Sequence, residues 1–130
     1  MERSADWLAQ AEGDLAHAQL SVDHRHYDWA CFSAQQAAEK AVKAVLYRAG
    51  AEPWGHSVPD LLEAVRSVTP VDDELIDAAK ELDKAYISAR YPDSLPAGAP
   101  RDRYTRAEAD RMVSHARGII RFCQGLLAQP

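Results

Sequence analysis

Apolar side chains recur along this chain at three- and four-residue spacing, and nowhere in the period-two alternation of a half-buried strand. Trp7, Ala11, Leu15, Ala18 and Val22 lay one stripe along a helix over roughly residues 4–22, capped by Ser4 and broken by His24-Arg25-His26. A second helix, over 27–49, carries Trp29, Phe32, Ala37, Ala41, Val45 and Leu46 on its apolar face and stops at Gly50. A third follows Ser57, with Pro59 and Asp60 in its first turn and Leu61, Leu62 and Val65 as apolar contacts. Asp72, Asp73 and Glu74 open a fourth where the helix dipole favours negative charge; Leu75, Ala78, Ala79, Leu82, Tyr86 and Ile87 line it, and Pro92 ends it. Thr105-Arg106-Ala107-Glu108 reads as a capping box for a fifth, which runs through Met112, Ala116, Ile119, Ile120, Cys123 and Leu127. Five amphipathic helices with mostly short connections predict an all-α fold, a five-helix up-and-down antiparallel bundle.

At 130 residues the chain forms a single domain, 1–130, large enough to fold around its own core. No apolar run approaches the roughly 20 residues that span a bilayer, so no membrane segment is expected. The start, Met1-Glu2-Arg3-Ser4, leads straight into charged helical sequence without an export signal, which predicts a cytoplasmic protein. Cys31 and Cys123 sit in apolar helical patterns and read as small core residues. The net charge of −5 argues against a generic nucleic-acid coat. The distribution says more: residues 1–88 hold 8 basic and 16 acidic groups, whereas 89–130 hold 7 and 4, and all seven of those cations are arginine. Either they dress a solvated helix face or they form a local phosphate-binding surface, for which the planar guanidinium fork is suited.

The candidate chemistry concentrates at Asp83-Lys84-Ala85-Tyr86-Ile87-Ser88-Ala89-Arg90-Tyr91-Pro92-Asp93, where a helical pattern meets a proline stop. Pro92 pushes Tyr91 out of the helical region and presents Arg90 and Tyr91 at a stiff helix end. From Tyr91 to Tyr104 the chain has no apolar period and three prolines, which predicts a stiff, wrapped loop. On the second helix Gln36, Glu39, Lys40 and Lys43 share one side; they read as a polar face held by a Glu39–Lys43 pair, while Gln35-Gln36 on an Ala-rich helix also suits a self-association seam. At the start of the third helix Ser57 reads as an N-cap, with His56 either an ordinary histidine or a neighbour of a bound phosphate. The five histidines show no metal-ligand spacing, the scattered glycines form no phosphate loop, and no serine carries a nucleophile signature, so no metal or cofactor is expected and the catalytic residues stay unassigned.

These segments together resemble a known family. Trp7 to Leu15, the run Cys31-Phe32-Ser33-Ala34-Gln35-Gln36-Ala37-Ala38-Glu39-Lys40-Ala41, Gly55-His56-Ser57, Asp83-Lys84-Ala85-Tyr86-Ile87, Arg90-Tyr91-Pro92-Asp93 and Tyr104-Thr105 with Glu108-Ala109 are similar to the HEPN domain, "higher eukaryotes and prokaryotes nucleotide-binding". The resemblance implies a helical bundle, commonly a homodimer, often paired with a minimal nucleotidyltransferase in a toxin–antitoxin-like system. Members that cleave RNA carry a His about four to six residues after such an Arg, where this chain has Leu95, Pro96 and Ala97. The resemblance therefore carries over binding of a nucleotide or RNA phosphate but not ribonuclease activity.

The expected site follows: Arg90 grips phosphate, Tyr91 and Tyr86 stack on or hydrogen-bond base or sugar, Asp93 orients Arg90, and Lys40 and His56 add charge. Two alternatives stay open. One is a metal-independent ribonuclease toxin using Arg90 with His56 or His115, although Arg111 and His115 read as solvent-facing decoration; the other is a non-catalytic dimerisation module in which an Asp93–Arg90 pair braces the loop. The many alanines of the second helix, Ala30, Ala34, Ala37, Ala38 and Ala41, are the sequence argument for a homodimer.

Overall fold

Alanine sets how closely the helices of this chain approach. A computed structural model describes every residue from Met1 to Pro130. It is all-helical, with five long helices, α1 (Ser4–Asp23), α2 (Tyr27–Arg48), α3 (Val58–Arg66), α4 (Asp73–Asp83) and α7 (Arg106–Leu127), and two single turns, α5 (Ala85–Ser88) and α6 (Pro100–Arg103). The central element is α2, which packs against α1, α7, α3 and α4. Fifteen of its 22 residues are buried, and Ala30, Ala34, Ala37, Ala38, Ala41 and Ala44 are wholly so. The small side chains let the flanking helices come close enough for dense dispersion contacts. The alanines that suggested a self-association seam are thus consumed inside the monomer. Gln35 is fully buried with them.

The end signals mostly hold. Ser57 accepts the Asp60 N–H at 3.3 Å, and the Thr105–Glu108 capping box is closed in both directions, at 3.1 and 3.2 Å. Gly50 follows α2 at φ +85°, the left-handed position glycine occupies without a Cβ clash. Ser4 departs from expectation: it is the first helical residue, without a capping bond from its own side chain, and its N–H is taken by the Glu2 carboxylate. The fourth helix does not run unbroken to Pro92. At Lys84 an i→i−3 bond to the Glu81 carbonyl (3.3 Å) interrupts the ladder, and α5 adds one more turn. Next to this break the Asp83 carboxylate accepts the Val58 N–H at 2.9 Å, which fixes the start of α3 against the end of α4. The loop predicted over 91–104 contains a 3-10 turn at Pro92–Ser94 and the α6 turn, whose Pro100 is buried.

Both cysteines are buried and unpaired, and burial pushes each thiol up to about 12. Trp29 and Ile87, expected in the core, are exposed by 47% and 50%. Both lie beside the Pro-stopped corner, where the bundle ends and no helix covers them. No helix is long and apolar enough to cross a membrane.

Candidate functional site

The guanidinium of Arg90, in the turn after α5, is held by a carbonyl of that helix and flanked by rings. Its Nε donates to the Tyr86 carbonyl at 2.7 Å, one turn back. Its carbon lies 4.4 Å from the Phe32 ring centroid, 4.8 Å from that of Tyr86 and 5.2 Å from that of Tyr91. Phe32 belongs to α2, so the cage is built from two elements far apart in sequence. No carboxylate pairs with Arg90, whereas Arg101, Arg106 and Arg111 each have one. In particular Asp93 does not reach it. The expected orienting role for Asp93 is filled by the Tyr86 carbonyl. With Nε taken by the Tyr86 carbonyl, the two terminal Nη groups have no protein partner, and that edge can receive a phosphate.

Arg90 opens into a groove of about 680 Å³ that it shares with Trp29, Arg101 and the α1–α2 turn. Tyr86 joins this corner to His56: the two rings stack with centroids 4.8 Å apart and planes 20° from parallel. His56 faces a separate cleft of about 360 Å³, shared with Ser57, Asp83, Lys84, Tyr86 and Ser88. Arg90, Tyr86, Tyr91 and His56 therefore form one contiguous cluster, with Arg90 and His56 opening into different clefts.

His56 is fixed from the core side. Its Nδ1 lies 3.1 and 3.2 Å from the two oxygens of Glu39, and its carbonyl accepts the Gln35 amide at 3.0 Å. Glu39 in turn receives Lys43 Nζ at 3.1 Å. The expected Glu39–Lys43 pair is present, but it is buried, with side chains only 5% and 10% exposed. A carboxylate that accepts Nδ1–H fixes the ring's orientation and turns Nε2 away from Glu39. Lys40 stands apart from this cluster. It pairs with Asp14 at 2.7 Å and lines a surface with Arg3, Asp6, Trp7 and Gln10.

Arg111 is solvent-facing as expected, whereas His115 is half-buried, and the two share an acidic neighbour. Glu81 of α4 bridges them, with Arg111 Nε at 2.8 Å and His115 Nε2 at 3.4 Å, the latter off hydrogen-bonding geometry. Hydrogen bonding to Arg111 and its charge hold the Glu81 carboxyl below its usual range. The pair ties α7 to α4 and does not meet Arg90. Two participants escaped the sequence reading. Phe32 was placed in the core, and Arg25, which lines the Arg90 groove, was read only as part of a helix break. No three His, Cys, Asp or Glu side chains gather closely enough to hold a metal ion.

The HEPN domain family matches residues 4–126. Among solved structures, the protein TT1696 from Thermus thermophilus is 46% identical with a TM-score of 0.94, covering 97% of this chain and 99% of that one. An HEPN domain protein of Thermotoga maritima is 51% identical with a TM-score of 0.80, over 96% of this chain and 99% of its own. ST0689, an archaeal HEPN homologue, is 39% identical with a TM-score of 0.81, over 96% and 98%. A Methanocaldococcus jannaschii protein named "Putative toxin MJ1304" is 26% identical over 95% of this chain and 87% of its own length.

Proposed function

Because the chain belongs to the HEPN family, we propose that it binds the phosphate of a nucleotide or RNA at Arg90, as the HEPN member of a toxin–antitoxin-like pair. Its partner in that reading is a minimal nucleotidyltransferase, and it acts as a homodimer in the cytoplasm. The observation that carries the reading is the Arg90 guanidinium, without a carboxylate, seated among Phe32, Tyr86 and Tyr91 at the mouth of a groove. A cation whose purpose was to brace the loop would be paired with Asp93. In this reading Tyr91, 49% exposed beside Arg90, and Tyr86 contact a base or sugar. The similarity to a protein named as a toxin supports the system, and the 26% identity leaves its activity with that protein. Arg90→Ala tests the reading: oligoribonucleotide binding is lost while the protein stays folded, with a stability loss of no more than about 2 kcal/mol from the ring contacts and one hydrogen bond. Wild-type binding in folded Arg90→Ala refutes it.

A second reading, metal-independent ribonuclease activity, is favoured by one observation. The buried Glu39 carboxylate orients the His56 imidazole in the manner of a general base, and Tyr86 joins that ring to Arg90. Cleavage of RNA in the presence of chelator, lost in His56→Ala, would establish it. On the first reading the purified protein cleaves little or no RNA. His115 lies beside Glu81 and lines neither the Arg90 groove nor the His56 cleft, so the second reading is tested at His56 first.

A further inference from the structure

The α1–α2 turn places an arginine where the end of α1 calls for a left-handed residue, a position that glycine fills with least strain. Arg25 sits at φ +65°, and every other residue at positive φ is glycine. Its N–H bonds to the Val22 carbonyl at 3.0 Å and that of His26 to the Ser21 carbonyl at 2.8 Å, the helix-ending pattern in which glycine is the least strained occupant. The side chain has no ion pair, and with His24 and His26 it lines the groove that Arg90 enters from another part of the chain. Arg101 adds a third guanidinium, partly occupied by Asp102 at 3.9 Å. Asp28, in the same wall, is buried. Trp29, also in this wall, is 47% exposed, with its ring edge-on to Phe32 at 6.0 Å. Cations from three separate segments line this groove and can meet phosphates at successive positions, and an exposed indole beside them is a stacking surface for a base.

We propose that Arg25, flanked by His24 and His26, is a second phosphate subsite, so that the groove holds a single strand of nucleic acid through successive phosphates with a base on Trp29. The inference rests on Arg90 as the first phosphate ligand and names the substrate class of that site. A strained arginine kept where glycine fits better is then a residue retained for its charge.

The test compares wild type, Arg25→Gly and Arg90→Ala with two probes, uridine 5′-monophosphate and a labelled oligouridylate of about ten residues, across a salt series. Arg25→Gly is expected to weaken oligouridylate binding about tenfold and to flatten the slope of log K against log salt by about 0.7, the loss of one single-strand phosphate contact. Its monophosphate affinity and melting temperature stay unchanged, or the latter rises. Arg90→Ala weakens both probes. If Arg25→Gly binds the oligouridylate with wild-type affinity and slope while Arg90→Ala fails, the subsite is refuted and Arg90 stands. Equal weakening of both probes by Arg25→Gly also refutes a separate subsite, as does equal affinity of the wild type for uridine 5′-triphosphate and the oligouridylate. If Arg90→Ala binds as the wild type does, or the wild type binds neither probe, both readings fall.

Discussion

The guanidinium of Arg90 lies 4.4 Å from the centroid of the Phe32 ring, which joins the corner after α5 to the middle of the bundle. A planar cation against a ring is desolvated on that face and held in one orientation, so Phe32 positions Arg90 and, in the proposed reading, acts on the phosphate only through it. Phe32→Leu keeps the apolar bulk and removes the π face. Urea unfolding is expected to show a loss of about 0.5–1.5 kcal/mol, and phosphate affinity is expected to fall several-fold while Arg90 itself is intact.

Lys43 and Glu39 form a buried pair, and removing one partner strands the other. Glu39→Gln leaves the Lys43 ammonium buried without a counter-charge, and unfolding measurements should show a loss of about 3–5 kcal/mol. Adding Lys43→Met to Glu39→Gln should recover most of it. Failure of that second change to restore stability would mean that Glu39 acts chiefly through His56 and Gln35.

Asp83 gives the fold a pH signature. Burial raises its carboxyl above the usual aspartate range, against the opposing pull of the Val58 N–H. The native state therefore holds this proton more tightly than the unfolded chain, and the group's contribution is fully present below about pH 4, the ordinary aspartate value, and lost as pH rises through the higher native one. Asp83→Asn keeps an oxygen for Val58 and has no proton to lose. Its stability relative to wild type is expected to improve on going from below about pH 4 to neutrality, measured by thermal melts across that range.

The helices were legible because their signals are local: the repeat of apolar residues, the Thr105–Glu108 box, Ser57 and Gly50 need only neighbours in sequence. What depends on distant partners was not legible. Ala30, Ala34 and Ala37 announce close packing without saying against which helix, and α1 and α7 answer inside the monomer. Glu39 and Lys43 look like a solvated face because periodicity reads charge as outward. Yet they are interleaved with alanines on several sides of α2, which left no face for solvent. Arg90 was visible from the proline after it, but Phe32 was hidden far earlier in the chain, and Tyr86 and His56 were recognised separately without their stacking. Arg25 had a faint signal: α1 ends with no glycine where one residue must turn left-handed.

The most direct test of Arg90 as a phosphate ligand is the Nε–H resonance of its side chain, assigned in ¹⁵N-labelled protein by its absence in Arg90→Lys. The Tyr86 carbonyl holds that group at 2.7 Å, so it should be observable without ligand. Titration with uridine 5′-monophosphate is expected to shift it saturably, together with the ring protons of Phe32, Tyr86 and Tyr91. A resonance that stays still while the nucleotide saturates resonances elsewhere, or that stays still with no binding anywhere, contradicts the account.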